Sequence, residues 1–180
     1  MDFITSIDNV MNQAVFDAVF PGAVLLVSQK NRIHIHRAYG LANIFTQRPM
    51  TLNTIFDLAS LTKPLATTLA VMKLVDDQRL EMKNTLGDLI PEFRSTDKES
   101  ISLKMLFAHT SGYPDYRPYY TDLVDLPRKQ RRLKLRKFLL AEKINTSENA
   151  VAVYSDLGFM VLSWVIEHVA GDQLDRYLLR

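Results

Sequence analysis

Apolar residues recur every three or four positions through residues 2–19, the spacing of one face of an amphipathic helix. Pro21 and Gly22 follow this stretch and end the predicted helix. The β-rich run 23–29 and the alternating run 32–38 flank Lys30-Asn31, a dipeptide typical of a tight turn. The pattern therefore predicts a helix and then a β-hairpin over residues 23–38. The helical stripe consists of Phe3, Ile7, Val10, Met11, Ala14, Val15 and Ala18.

From about residue 59 onward the pattern becomes helical. An apolar stripe predicts a helix that begins near Ser60, and its members are Leu65, Leu69, Met72 and Val75. Ser102 is predicted to cap a short helix that continues through Ala108 and is closed by Gly112. A basic amphipathic helix is predicted over residues 127–142, with Leu135, Phe138 and Leu139 as its apolar contacts.

Residues 157–170 are apolar almost all round, which predicts a buried helix. Gly171 follows at the position where a glycine commonly ends a helix, and a last helix is predicted to begin near Asp172. A short strand at Val151–Tyr154 is the only further β-signal.

The predicted sheet is too small to stand alone. A lone hairpin is marginal in water and leaves both edges open, so further strands are needed. We therefore expect an α/β (α+β) fold with a helical domain, part of an antiparallel sheet, and strands missing at the C-terminal end. The predicted division is 1–58 for the N-terminal helix and hairpin and 59–180 for the mostly helical domain, in a chain that is incomplete.

Composition narrows the class of protein. The 180 residues are 47% hydrophobic and 23% charged, with a net charge of +2, which is typical of a globular chain. The absence of cysteine excludes disulfides, thiolate metal sites and cysteine nucleophiles. The N-terminus has neither the basic nor the apolar region of a secretory signal, and no run approaches the roughly 20 apolar residues of a membrane span. A cytoplasmic location is expected, or a periplasmic or exported one if the N-terminus was trimmed.

Ser60-Leu61-Thr62-Lys63 is the first candidate for chemistry. A serine hydroxyl is a poor nucleophile until a neighbouring base takes its proton. On a helix, residues i and i+3 share a face, so the Lys63 amine can reach the Ser60 hydroxyl. Free N–H groups at a helix N-terminus would suit a developing oxyanion. The motif is short and also occurs by chance.

Tyr154-Ser155-Asp156 is the second candidate. In an extended segment the side chains of Tyr154 and Asp156 point the same way. A tyrosine becomes a useful base only if a nearby cation lowers its pKa, and Lys63 could be that cation. The alternative is a Tyr154 ring packed in the core, with Asp156 capping the next helix.

The segment 106–112 is predicted to be a helix end and a turn. We expect His109 to bond nearby carbonyl groups rather than to join a Ser-His triad, because no acidic partner is identifiable in the sequence.

In this order and spacing, the segments Phe56–Pro64, Leu106–Gly112 and Tyr154–Met160 resemble the class C-like serine β-lactamase family. That family includes penicillin-binding proteins, D-amino-acid peptidases and carboxylesterases. The resemblance implies a serine hydrolase that acts on an ester, amide or β-lactam through an acyl-enzyme, without a cofactor.

The resemblance also implies roles for individual residues. Ser60 would be acylated, and Lys63 and Tyr154 would share the general-base work. Asp156 and Tyr116 would contact the substrate; for Tyr116, packing of its own loop is an equal or better explanation. The His-Thr-Ser-Gly run would be mainly architectural.

Three features depart from the family pattern. The third motif, Lys-Thr-Gly or His-x-Gly on a late strand that donates one oxyanion N–H, has no match. Asp156 stands where Asn is typical, and a carboxylate there would raise the pKa of Lys63. Residues 146–150 replace the usual Pro-Gly turn before the tyrosine motif.

Other interpretations stay open. One is a non-catalytic or truncated β-lactamase-like fragment. A second is binding of nucleic acid or an anionic membrane through the basic residues of 128–137, although their interleaved apolar residues favour an ordinary solvated helix face. His34 and His36 could share a metal, but no third ligand lies nearby in sequence. We expect a small-molecule acyl substrate, no nucleic-acid partner and no integral membrane segment; the open sheet edge could support self-association.

Overall fold

The computed structural model describes residues 3–145 and 151–179. The chain divides into two compact units, Met1–Asp57 and Leu58–Arg180. Within the described residues, no helix is both long and apolar enough to cross a membrane.

The first unit combines a helix with a small antiparallel sheet. Helix α1 spans Phe3–Phe16, and strands β1, β2 and β3 span Gly22–Gln29, Arg32–Asn43 and Arg48–Pro49 in the order β1-β2-β3. Lys30 and Asn31 have φ values of 49° and 61°, so both central residues of the hairpin turn are left-handed, as a type I′ turn requires. The predicted helix and hairpin are present in this unit.

Irregularities in this unit were not predicted. The helix ends before Pro21, because Ala18 adopts φ 55° and its N–H bonds back to the carbonyl of Val15 at 3.1 Å. The register between β1 and β2 shifts after Val27, which pairs with Ile35 while Ser28 pairs with Ile33. His34 is the extra residue of this bulge.

The second unit is mostly helical. A 3₁₀ turn at Ala59–Leu61 leads into a π-helical segment at Lys63–Thr68 and then into α2. The α-helices are α2 (Leu69–Asp76), α3 (Leu86–Leu89), α4 (Leu103–Phe107), α5 (Tyr119–Leu123), α6 (Arg128–Ala141), α7 (Asp156–Ala170) and α8 (Leu174–Tyr177), with a second 3₁₀ turn at Pro91–Phe93.

Helix α7 is the centre of the core in this unit, as its uniformly apolar sequence predicted. Its buried side chains include Leu157, Val161, Leu162, Val165 and Ile166. Trp164 packs against Phe93 with ring centroids 5.1 Å apart. Gly171 ends the helix in the left-handed conformation at φ 71°, which a residue without a Cβ adopts at little cost.

The helix predicted from the apolar stripe after Ser60 is present, but the stripe lies on the exposed side of α2 and the preceding segment. Leu65, Leu69 and Met72 are 53%, 49% and 59% exposed, whereas Val71 and Leu74 on the other side are buried. Apolar residues occupy both sides of this segment, so periodicity identifies a helix without indicating which side is covered.

The strand expected at Val151–Tyr154 is absent, because these residues form no β-ladder.

Candidate active site

Ser60 lies in the 3₁₀ turn Ala59–Leu61, and its side chain is exposed. Ala59, immediately before it, has φ 44°, a left-handed conformation that a residue with a Cβ rarely adopts. Such strain persists only where the surrounding structure imposes it, and it is concentrated at functional sites. The turn thus presents the Ser60 hydroxyl at the start of the helical segment, where the sequence predicted it.

Lys63 is the first residue of the π-helical segment, and its Nζ donates a hydrogen bond to Ser60 Oγ at 3.3 Å. Pro64 is tolerated because it lies in the first turn, where backbone N–H groups have no partner within the helix. The Thr68 hydroxyl donates to the Lys63 carbonyl at 2.9 Å across the wider π turn. π turns are rare in helices and occur often at functional sites.

Asp156 holds the lysine from the other side. Lys63 Nζ is 2.5 Å from Asp156 Oδ1, and the Lys63 side chain is only 14% exposed. Burial alone would lower the pKa of Lys63, but hydrogen bonds and charge from Asp156 and Tyr154 outweigh it and raise the pKa above its ordinary value. Lys63 is therefore an ammonium at neutral pH.

Tyr154 lies beside that ammonium and not in the core. Its side chain is exposed, and Lys63 Nζ is 4.8 Å from the centroid of the phenol ring. Hydrogen bonding with Ser60, and next with Lys63, lowers the pKa of the phenol below its ordinary value. The four groups of the two sequence motifs meet, although Lys63 and Asp156 are 93 positions apart.

The alternative in which Asp156 caps α7 is wrong, because Ser155 takes that role. Ser155 Oγ accepts the Gly158 N–H at 3.0 Å and donates to the Pro114 carbonyl at 2.6 Å. Ser and Asp are both favoured caps, so the sequence alone did not separate two adjacent candidates. With Ser155 as the cap, the Asp156 carboxylate is available to Lys63.

The helix end predicted within residues 106–112 is present, but the residue that closes it was predicted wrongly. Helix α4 is capped by Ser102 as predicted, but it is closed by His109 and not by Gly112. His109 has φ 57°, its N–H bonds the Leu106 carbonyl, and the next N–H bonds the Met105 carbonyl at 2.9 Å. The imidazole does not bond a carbonyl through Nδ1, because that atom accepts the Ser155 N–H at 3.0 Å.

A cleft of about 460 Å³ opens beside the candidate nucleophile. Ser60, Lys63 and Asp156 provide polar atoms, and Phe159, Met160 and Leu174 are among the apolar residues of its lining. Polar groups that converge next to an apolar surface are typical of small-molecule sites.

Tyr116, the other predicted substrate contact, is not among the residues that line this cleft. A hydrogen bond with Tyr120 is the main cause of the raised pKa of the Tyr116 phenol. Its loop is nevertheless tied to the site, since the Asp156 N–H donates to the Asp115 carbonyl at 2.8 Å. A substrate contact of Tyr116 stays a prediction.

Several arginine side chains of the basic helix α6 form ion pairs or hydrogen bonds with other groups of the same chain. Arg132 and Arg136 are 3.4 and 3.0 Å from Glu167, and Arg128 is 3.2 Å from Asp175. Arg131 donates to two backbone carbonyls. These contacts favour the solvated, structural helix face over an anion-binding one.

Within residues 3–145 and 151–179, no group of three or more His, Asp or Glu side chains is placed to hold a metal ion.

Comparison with known proteins identifies the family to which this chain belongs. The family model described as "Beta-lactamase" matches residues 7–180. The chain therefore belongs to the Beta-lactamase family, a family of serine hydrolases, and the family and fold class predicted from the motifs are confirmed.

Two curated relatives and two solved structures illustrate the match. The chain is 32% identical to an N-acetylmuramyl-L-alanine amidase of Bacillus subtilis, over 89% of this chain and 40% of that protein. It is 27% identical to a putative D-alanyl-D-alanine carboxypeptidase of Escherichia coli K12, over 97% and 43%. An octameric penicillin-binding protein homologue from Pyrococcus abyssi superposes with a TM-score of 0.82 at 19% identity, over 99% of this chain and 42% of that one. A hydrolase with promiscuous acyltransferase activity superposes with a TM-score of 0.76 at 27% identity, over 98% and 49%. The chain thus spans about 40% of the length of the curated relatives it matches.

Proposed function

We propose that Ser60 is the nucleophile of a serine acyl-hydrolase that works through an acyl-enzyme on an ester, amide or β-lactam. The observation that carries this proposal is the Lys63 ammonium, 3.3 Å from an exposed serine hydroxyl and held there by Asp156. A buried cation beside a hydroxyl stabilises the alkoxide that forms when the serine loses its proton.

Tyr154 is the group we assign to proton transfer. Since the pKa of Lys63 is raised and that of Tyr154 is lowered, the proton is easier to remove from the phenol than its ordinary value implies. The phenolate oxygen of Tyr154 takes the Ser60 proton as Oγ attacks the acyl carbon, and the phenol then returns that proton to the leaving amine or alkoxide. Water then attacks the acyl-enzyme ester as the Tyr154 phenolate takes one of its protons; the phenol passes that proton to the departing Ser60 Oγ, and the acyl group leaves as the carboxylic acid.

An amide of a cell-wall peptide is the substrate class we favour. It is supported by the names of two relatives, an amidase and a putative D-alanyl-D-alanine carboxypeptidase. The apolar lining from Phe159 and Met160 would suit a small aliphatic side chain next to the reacting carbonyl. A small-molecule acyl substrate is accordingly the expected partner.

Covalent labelling tests the nucleophile. The 180-residue chain and the longest reading frame that contains it are treated with a fluorophosphonate and with a fluorescent penicillin, and the adduct is located by peptide mass. We expect the adduct on Ser60, its loss in Ser60→Ala, and its retention in Ser100→Ala, which removes an exposed serine elsewhere. Equal labelling of the Ser60→Ala variant would overturn the proposal.

A second candidate function is a non-catalytic relative that binds acyl compounds without turnover. The 2.5 Å contact between Lys63 and Asp156 favours it, because an ammonium cannot accept the serine proton. It predicts saturable penicillin binding with no mass adduct in either form of the protein.

A further inference from the structure

His109 contacts the backbone on both sides of Tyr154. Its carbonyl accepts the Val153 N–H at 2.9 Å, and its Nδ1 accepts the Ser155 N–H at 3.0 Å. Its ring also lies against the Tyr154 ring, with centroids 4.6 Å apart and planes at 37°. His109 therefore holds Tyr154 through the N–H groups of the residues before and after it and through a ring contact.

The backbone of His109 is in a conformation that favours another residue type. At φ 57° it occupies the left-handed position that closes a helix, where glycine is the usual residue. Asparagine, aspartate and histidine are the side chains that tolerate this conformation best, so the local backbone alone does not single out histidine. The contacts of the ring with Ser155 and Tyr154 provide a further reason, since an imidazole supplies both a hydrogen-bond acceptor and an aromatic surface.

We propose that His109 is a positioning residue that holds the Tyr154 phenol at Ser60 and Lys63, and that it does so only while its imidazole is neutral with Nδ1 unprotonated. The proposal rests on the role of Tyr154 in proton transfer given above. A protonated Nδ1 is a donor, and it would face the N–H donor of Ser155. Protonation would therefore release one of the two backbone contacts that bracket Tyr154.

The charges around the ring favour the neutral form. Burial, and next the Lys63 ammonium, lower the pKa of His109 below its ordinary value of 6.5, while Asp156 acts in the opposite direction. The ring also lines a cavity of about 420 Å³ together with Tyr113, Asp115 and Lys143. The neutral imidazole is thus the expected state at neutral pH, and protonation should occur below pH 6.5.

Two substitutions distinguish the contribution of the His109 imidazole from that of its left-handed backbone conformation. In His109→Asn, the side-chain oxygen lies as many bonds from the backbone as Nδ1 does, asparagine tolerates the left-handed conformation, and the side chain does not titrate. In His109→Gly the backbone strain is relieved but the acceptor is lost. A merely structural helix end would therefore favour the glycine variant, whereas positioning of Tyr154 would favour the asparagine variant.

The first test uses nuclear magnetic resonance and needs no turnover. In the wild-type chain we expect the His109 ring to be protonated at Nε2 at neutral pH, and the Ser155 amide to shift as His109 titrates below pH 6.5. The pKa of Tyr154, followed at its ¹³Cζ, should rise toward 10.0 in His109→Gly and stay near the wild-type value in His109→Asn. A ring protonated at Nδ1, or an unchanged Tyr154 pKa in His109→Gly, would overturn the proposal.

The second test is the pH profile of Ser60 labelling in a form of the protein that reacts. The slope of log rate against pH should steepen from about one to about two as His109 protonates in the wild type, and stay at about one in His109→Asn. His109→Gly should lose up to ~10²-fold at every pH, the cost of a misplaced catalytic group. Equal profiles of all three would overturn the proposal. Absence of labelling in the wild type would count against Ser60 chemistry alone, because the magnetic resonance results stand independently.

Discussion

The Nζ atom of Lys63 lies 2.5 Å from Oδ1 of Asp156, across 93 positions of sequence. This contact fixes the amine next to Ser60, and it also keeps the amine protonated. In the mechanism we propose, the proton-accepting role then belongs to Tyr154, whose pKa is lowered by its hydrogen bonds with Ser60 and Lys63. We therefore propose that Asp156, which departs from the family pattern, assigns proton transfer to Tyr154 and not to Lys63.

Replacing Asp156 with asparagine should lower the pKa of both neighbours. The carboxylate raises the pKa of Lys63 by hydrogen bonding and charge, and its charge also opposes ionisation of Tyr154. We expect the ¹⁵Nζ titration of Lys63 and the ¹³Cζ titration of Tyr154 to move to lower pH in Asp156→Asn. Asp122→Asn, which changes an exposed carboxylate on α5, is the control and should move neither. A rise in either pKa would contradict the assignment.

Removing the phenol oxygen of Tyr154 should slow acylation and leave the fold intact. Positioned acid–base groups contribute about 10²–10⁴-fold, so the labelling rate of Ser60 in Tyr154→Phe should fall by that factor. The ring is exposed, and circular dichroism and the unfolding midpoint should change little. Tyr120→Phe, another exposed tyrosine, serves as the matched control. A Tyr154→Phe rate within threefold of the wild type would argue against proton transfer through this residue.

Ser155→Ala should cost more stability than the same change at another helix cap. Ser155 is 1% exposed, caps α7 and bonds the Pro114 carbonyl, so its loss also removes the hydrogen-bond donor to a partly buried acceptor. We expect a loss of about 2–3 kcal/mol in urea unfolding. Ser102→Ala, at the cap of α4, should cost about 1 kcal/mol. Equal losses in the two variants would show that the Pro114 contact adds nothing.

His109 should make the stability of the fold depend on mildly acidic pH. Its pKa in the folded protein is lowered from 6.5, so the unfolded chain binds the proton more readily. The stabilising contribution is complete above pH 6.5 and is lost as pH falls through the lower folded pKa. The free energy of unfolding should therefore drop more between about pH 7.5 and pH 5 for the wild type than for His109→Asn. Parallel curves would contradict the depressed pKa.

Some elements were predictable because their sequence is compatible with only one local structure. Helix α7 has an apolar run with a glycine at its end, and the turn at Lys30-Asn31 lies between two β-rich runs. In both cases local preference and burial point to the same structure.

At other positions the local sequence is compatible with more than one structure. Gly112 was the stronger helix-end signal, and nothing local indicates that His109 takes the left-handed position instead. The π turn at Lys63–Thr68 was not predicted from the sequence. The two motifs of the site were found by their order along the chain, but their meeting depends on how α7 packs on the preceding elements.

The titration of the Tyr154 phenol tests the central claim most directly. With ¹³Cζ-labelled tyrosine, the pKa of Tyr154 is measured in the wild type and in Lys63→Met, which keeps an unbranched side chain one atom shorter and removes its charge. The account predicts a wild-type pKa below 10.0 that rises when the ammonium is removed. A Tyr154 pKa at or above 10.0 in the wild type, unchanged by Lys63→Met, would contradict it.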